Sequence, residues 1–141
     1  MDLCQTWEIA GWFAIIAAQL GYTYALAGRM RDALPLLAQA IGQGPARRSV
    51  YHARLLSYVS EVYLLDGRPE DALPHAVSAL ELAHTRKERG FQAYALRLMG
   101  EIAAQHDPPN VEQAAADYHR ALALAEELGM RPLQALSLIH I

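Results

Sequence analysis

Arg97 and Glu101 stand four residues apart, and Tyr94 lies three residues before Arg97. At 3.6 residues per helical turn, that spacing places all three on one face. The same steps of three and four recur at Arg54, Ser57 and Glu61, and again at Ile15, Ala18 and Tyr22. An arginine and a carboxylate so placed can pair with each other or meet a bound segment. Exposed pairs contribute only ~0–1 kcal/mol, so a partner could replace them at little cost. The alternative is that Arg54, Arg97, Glu61 and Glu101 pair across neighbouring helices and bind nothing. Reversal of Arg97 to Glu is expected to weaken partner binding while leaving helix content and melting nearly unchanged.

No spacing supports catalysis, a cofactor or a metal. His52, His75, His84, His106, His119 and His140 never fall three or four apart, so no helix presents a two-histidine metal site. Cys4 has no companion motif of a nucleophile. Glu70-Asp71 and Glu126-Glu127 are adjacent, and adjacent helical residues do not face each other. No Gly-rich phosphate loop is present. A protein without enzymatic activity is the expectation.

The elements that must position these residues are helices. Ala and Leu supply 47 of the 141 residues, and Val, Ile and Thr together only 15, which favours helix over strand. Gly67 can end a helix that runs over Leu55–Leu65, because it adopts the left-handed conformation without a Cβ penalty. Pro69 suits a first helical turn, and Glu70 and Asp71 suit the positive end of the helix dipole. Ala72, Ala76 and Ala79 then line one face with small side chains, letting a neighbouring helix come close.

This hairpin recurs. Ala33, Ala72 and Ala114 open three second helices; Leu37, Ala76 and Tyr118 follow four residues later, and Ala40, Ala79 and Ala121 three after that. In the preceding helices Leu20-Gly21-x-x-Tyr24 aligns with Val59-Ser60-x-x-Tyr63 and Met99-Gly100-x-x-Ala103. Gly28-Arg29 and Gly67-Arg68 mark two turns, and Asp107-Pro-Pro-Asn110 makes a longer third. Gly21 and Gly100 are expected to let paired helices touch, and Tyr24 and Tyr63 to bury their rings between hairpins. Pro35 and Pro74 each follow the key alanine by two residues and predict a slight bend rather than a break. The second helices of the later copies are expected to run on through Leu82–Glu88 and Ala123–Leu128.

These residues resemble the tetratricopeptide repeat family, with its pattern W-x2-L-G-x2-Y, then A-x3-F-x2-A, then P. Pro45 supplies the closing proline of the first copy. Ala17, Leu56 and Leu96 stand in place of the tryptophan, Ser60 of a glycine and Ala103 of a tyrosine. The resemblance implies an all-α, right-handed superhelical array with repeats near 4–45, 46–89 and 90–129, and a partial fourth over 130–141. It further implies that the first helices line a concave groove for a protein or peptide ligand. Tyr22, Arg54, Ser57, Glu61, Tyr94, Arg97 and Glu101 would touch that ligand. The face lacks the Lys and Asn of the family's clamp for a C-terminal carboxylate. Ala121–Pro132 and Leu98–Ile102 are similar to the C-terminal repeat regions of bacterial signalling proteins that carry a nucleotide cyclase or AAA-type ATPase upstream. A sensory tail of such a protein is the second reading, and no motif of those catalytic domains is present.

The remaining bounds are exclusions. A net charge of −3 gives no footprint for nucleic acid, and Arg47-Arg48 and Arg86-Lys87 with Arg89 read as solvated helix ends. A single cysteine forbids an internal disulfide and fits a reducing, cytoplasmic setting. Met1–Glu8 is acidic where a secretory signal is basic. Ile9 to Gly28 carries no charge and approaches the ~20 residues of a membrane span. Gln19, Thr23, its glycines and tyrosines instead predict a packed repeat helix over 9–27. At the other end, Leu136-Ser-Leu-Ile-His-Ile141 corresponds to one reading frame of a transposon adaptor used in sequencing libraries, and is read as an ending appended to a gene fragment. Leu133, Leu136, Leu138 and Ile139 would form an uncapped apolar strip, from which self-association is expected.

Overall fold

The computed structural model describes residues 3–42 and 52–130, with side chains from residue 12 onward. Six helices account for most of these residues, and no strand occurs among them. They are α1 (Leu3–Leu26), α2 (Met30–Gly42), α3 (His52–Leu65), α4 (Pro69–Thr85), α5 (Arg89–Gln105) and α6 (Val111–Leu128). Helix α1 packs on α2, α3 on α4, and α5 on α6; α4 also packs on α5. In addition α1 contacts α3 and α3 contacts α5, so the three odd-numbered helices form a row. Pro45 and the expected partial repeat over 131–141, with its apolar strip, lie outside the described residues.

The turns follow from their residues. Gly28 and Gly67 take φ of 76° and 73°, the left-handed conformation in which a Cβ is penalised. Each closes its helix by a pair of backbone bonds. Gly28 N–H reaches Ala25 O at 3.0 Å and Arg29 N–H reaches Tyr24 O at 2.8 Å; Gly67 and Arg68 repeat this onto Leu64 and Tyr63 at 3.0 and 2.9 Å. The arginine after each glycine then does two things. Arg29 bonds Asp32 at 2.8 Å and lies 4.4 Å from the centre of the Tyr24 ring. Arg68 bonds Asp71 at 2.7 Å and lies 4.9 Å from the centre of the Tyr63 ring. Tyr24 and Tyr63 pack against the core as expected, but only half-buried, with a guanidinium group over each ring. In the third turn Asn110 caps α6, its side chain accepting from Gln113 N–H at 3.1 Å.

Helix α4 stops at Thr85, short of the expected Glu88. Lys87 adopts φ 58° and takes the role that glycine has elsewhere. Its N–H bonds His84 O at 3.1 Å, and Glu88 N–H bonds Ala83 O at 2.8 Å, the Schellman pattern. A lysine gives no signal for such a stop. Helix α1, by contrast, starts earlier than the expected residue 9, and α6 ends at Leu128 as expected. Pro35 and Pro74 are each the sixth residue of their helix, and both helices continue through them. Both rings are exposed, on a side where water can solvate a carbonyl left without a donor.

The core is built from the aligned small positions. Ala33, Leu37, Ala40, Ala72, Ala76, Ala79, Ala114, Tyr118 and Ala121 are all buried. A Cβ added at Gly21 would stand 2.9 Å from Leu37 Cγ and 3.1 Å from Ala33 O; one at Gly100 would stand 2.9 Å from the Tyr118 ring. At the corresponding place in the second hairpin, Ser60 Oγ donates to Ala72 O at 3.0 Å. The serine thus turns the contact that glycine leaves open into a hydrogen bond. Leu20 is 41% exposed while its aligned partner Val59 is buried.

Gly100→Ala should overpack the α5–α6 contact and cost ~1–3 kcal/mol. Gly42→Ala, with no neighbour within 4 Å, should be neutral or stabilising by comparison. Lys87→Gly should relieve a left-handed conformation that costs ~1–2 kcal/mol, offset in part by the greater freedom of unfolded glycine. A net gain of up to ~1 kcal/mol is expected for it. Urea unfolding of the three variants checks all of these.

Candidate functional site

The candidate residues lie on α1, α3 and α5, the helices in the row. Glu61 on α3 is their meeting point. Tyr22 on α1 donates to its Oε1 at 3.0 Å, and Tyr94 on α5 donates to its Oε2 at 2.7 Å. Arg97 on α5 reaches Glu61 Oε1 with Nη2 at 3.4 Å and pairs with Glu101 through Nη1. Its guanidinium also lies 4.7 Å from the centre of the Tyr94 ring. Tyr22, Glu61, Tyr94, Arg97 and Glu101 are therefore one polar network that ties three hairpins.

The network is not the open face that the spacing suggested. The Arg97 side chain is only 3% exposed, and those of Glu61 and Glu101 are 14% and 15%. Ser57 is buried as well and donates to Ala53 O at 3.0 Å, and Ala18 is fully buried. The physical reason is that the odd-numbered helices pack directly on one another. Part of the face each would present to a groove is covered by the next.

Burial sets the electrostatics. It pushes the Tyr22 and Tyr94 phenols well above their ordinary pKa, and the Glu61 charge adds to the shift. Both hydroxyls therefore stay protonated as donors. Tyr118 is pushed up to about 12 by burial and by Glu101. Burial alone would lower the Arg97 pKa, but Glu101 and Glu61 outweigh it and the net shift is upward. Away from the network, burial lowers the pKa of His75, whose ring stacks on Tyr63 at 5.6 Å between centres.

Arg54 is different. It is exposed, its Nε donates to the Tyr58 hydroxyl at 2.9 Å, and its guanidinium lies 5.3 Å from the centre of that ring. Tyr58 in turn stacks on Tyr22 at 5.1 Å between centres. Beside them opens a half-enclosed, largely apolar cavity of about 450 Å³. Its walls include Tyr58, Phe91, Tyr94 and Met130, with Arg54 and Glu88 as its charged members beside Arg89. Arg89 is committed to Glu127 at 2.6 Å, so this basic residue of the Arg86–Arg89 cluster is paired. Arg47 and Arg48 lie outside the described residues.

Sequence reasoning found Arg54, Ser57 and Tyr94 of this cavity and missed Tyr58, Glu88, Phe91 and Met130. Tyr58 was within reach, since it stands four residues after Arg54 on the same helix. Glu88 and Phe91 were not, because they are placed by the turn at Lys87. Among the described residues no group of His, Cys, Asp and Glu could hold a metal ion. No helix among them is long and apolar enough to cross a membrane. No protein-family model, curated protein or solved structure matches the chain.

The burial of Arg97 reverses the expectation for its substitution. Arg97→Glu would gather three carboxylates in a poorly solvated site, and removing one partner of a buried pair typically costs ~3–5 kcal/mol. A large fall in thermal stability is the expected outcome. Arg97→Met, which keeps much of the volume, should lose less, and melting curves of both variants followed by circular dichroism check the order.

Proposed function

We propose that the chain is a tetratricopeptide-like helical-repeat module. It acts by binding a peptide or protein segment along the row of α1, α3 and α5. The repeat reading draws support from the nine aligned positions, all buried, and from the shared device of the first two turns, in which glycine closes the helix and arginine covers a tyrosine. The observation that carries the binding reading is the apolar cavity between α3 and α5, continuous through Tyr58 and Tyr94 with the polar network on the same helices. A row of helices with an apolar cavity and the exposed Arg54 beside it suits a segment that places one side chain in the cavity and runs along the row.

Selection of short peptides from a displayed library against the chain, followed by chemical-shift mapping, tests this function. Selected peptides should perturb the amides of α1, α3 and α5, in particular those near Tyr22, Tyr58 and Tyr94. Binders that map to α2, α4 and α6, or a selection that yields no shared sequence, would overturn it.

A further inference from the structure

We propose that the cavity between α3 and α5 is the anchor of this groove and takes an acidic peptide. One large apolar side chain would fill it, and an adjacent side-chain carboxylate would sit on Arg54. This inference rests on the peptide-binding reading and goes beyond it by naming the ligand chemistry.

Two observations carry it. The first is shape and lining: about 450 Å³ walled by Tyr58, Phe91, Tyr94 and Met130 is room for a phenylalanine-sized side chain with some backbone. Aromatic and thioether walls suit such an occupant. The second is the charge left over. On the row of α1, α3 and α5, Arg89 and Arg97 each meet a carboxylate, whereas Arg54 meets none among the described residues and bonds only the Tyr58 hydroxyl. That bond uses Nε and fixes the guanidinium at the cavity rim. Both Nη groups remain for an incoming carboxylate, the geometry in which arginine binds one through two parallel hydrogen bonds. Arg54 would thus read the side-chain carboxylate next to the apolar anchor. A basic peptide would place its charge against Arg54.

The test uses the whole chain, labelled with nitrogen-15, titrated with four capped dipeptide amides: acetyl-Asp-Phe, acetyl-Asn-Phe, acetyl-Asp-Ala and acetyl-Lys-Phe. Acetyl-Asp-Phe should shift the amides around Tyr58 and Gly90. Loss of the carboxylate in acetyl-Asn-Phe should weaken binding about threefold, as an exposed ion pair allows. Loss of the ring should weaken it about tenfold or more, and acetyl-Lys-Phe should bind least well of the aromatic peptides. Arg54→Gln should erase the difference between the Asp and Asn peptides.

Gly90 supplies the decisive variant. It lines the cavity, and a Cβ there meets only the Met130 thioether, at 3.8 and 4.0 Å. Gly90→Leu should therefore grow into the cavity and weaken acetyl-Asp-Phe about tenfold. Its melting temperature should be unchanged or higher, since leucine favours helix over glycine. Unchanged affinity in Gly90→Leu, equal binding of the Asp and Asn peptides, tighter binding of acetyl-Lys-Phe, or no shifts with any of the four would overturn the inference. If library-selected peptides still map to α1, α3 and α5 and keep their affinity in Gly90→Leu, the groove survives and the cavity is not its anchor.

Discussion

Two helices can share a hairpin at near-backbone distance only if nothing large stands between them, and the rest of this structure depends on that contact. Gly21 against Leu37 and the Ala33 carbonyl, Ser60 against the Ala72 carbonyl, and Gly100 against the Tyr118 ring are three solutions to one steric problem. The solutions differ in chemistry. A glycine admits a leucine or an aromatic ring, while a serine fills the gap and gains a hydrogen bond with a carbonyl. Around them the buried faces of α2, α4 and α6 are mostly alanine. Once each pair is held this closely, the odd-numbered helices fall into contact and their side chains must share space.

What they share is the charge cluster at Glu61. A carboxylate removed from water must find donors, or its desolvation goes uncompensated. Here it finds two phenols and a guanidinium, drawn from α1 and α5 on either side. Such a cluster is weak grounds for claiming net stability, because burying its charges costs much of what their attraction returns. Its consequence is register. A shift of α1 or α5 by one residue along α3 would take a tyrosine hydroxyl away from Glu61 and leave an acceptor unmet. The alanine faces alone, being nearly uniform, would resist such a shift far less.

Much of this was legible in the residues. The alanines at steps of four and three announced the helix pairs, and Gly28 and Gly67 announced two of the stops. Lys87 did not, because its left-handed backbone is imposed by the pair of hydrogen bonds it completes and not by any preference of lysine. The candidate site was legible by position and misread by environment. Helical spacing correctly set Tyr94, Arg97 and Glu101 on one face, but spacing along one helix says nothing about how near the next will lie. Burial at Arg97 and Ser57 is a property of three helices together. Tyr58 was legible as the i+4 neighbour of Arg54, but its stack on Tyr22 joins residues from different hairpins and was not.

The alanine-rich contacts also bear on how the molecule responds to a ligand. An alanine has no side-chain rotamers to lose, so these interfaces close with little loss of side-chain freedom and have few alternative packings to explore. A surface built on such contacts adapts little to what it meets. Most of the ordering entropy of association would then fall on the incoming segment, and affinity would reward partners whose own shape is already fixed.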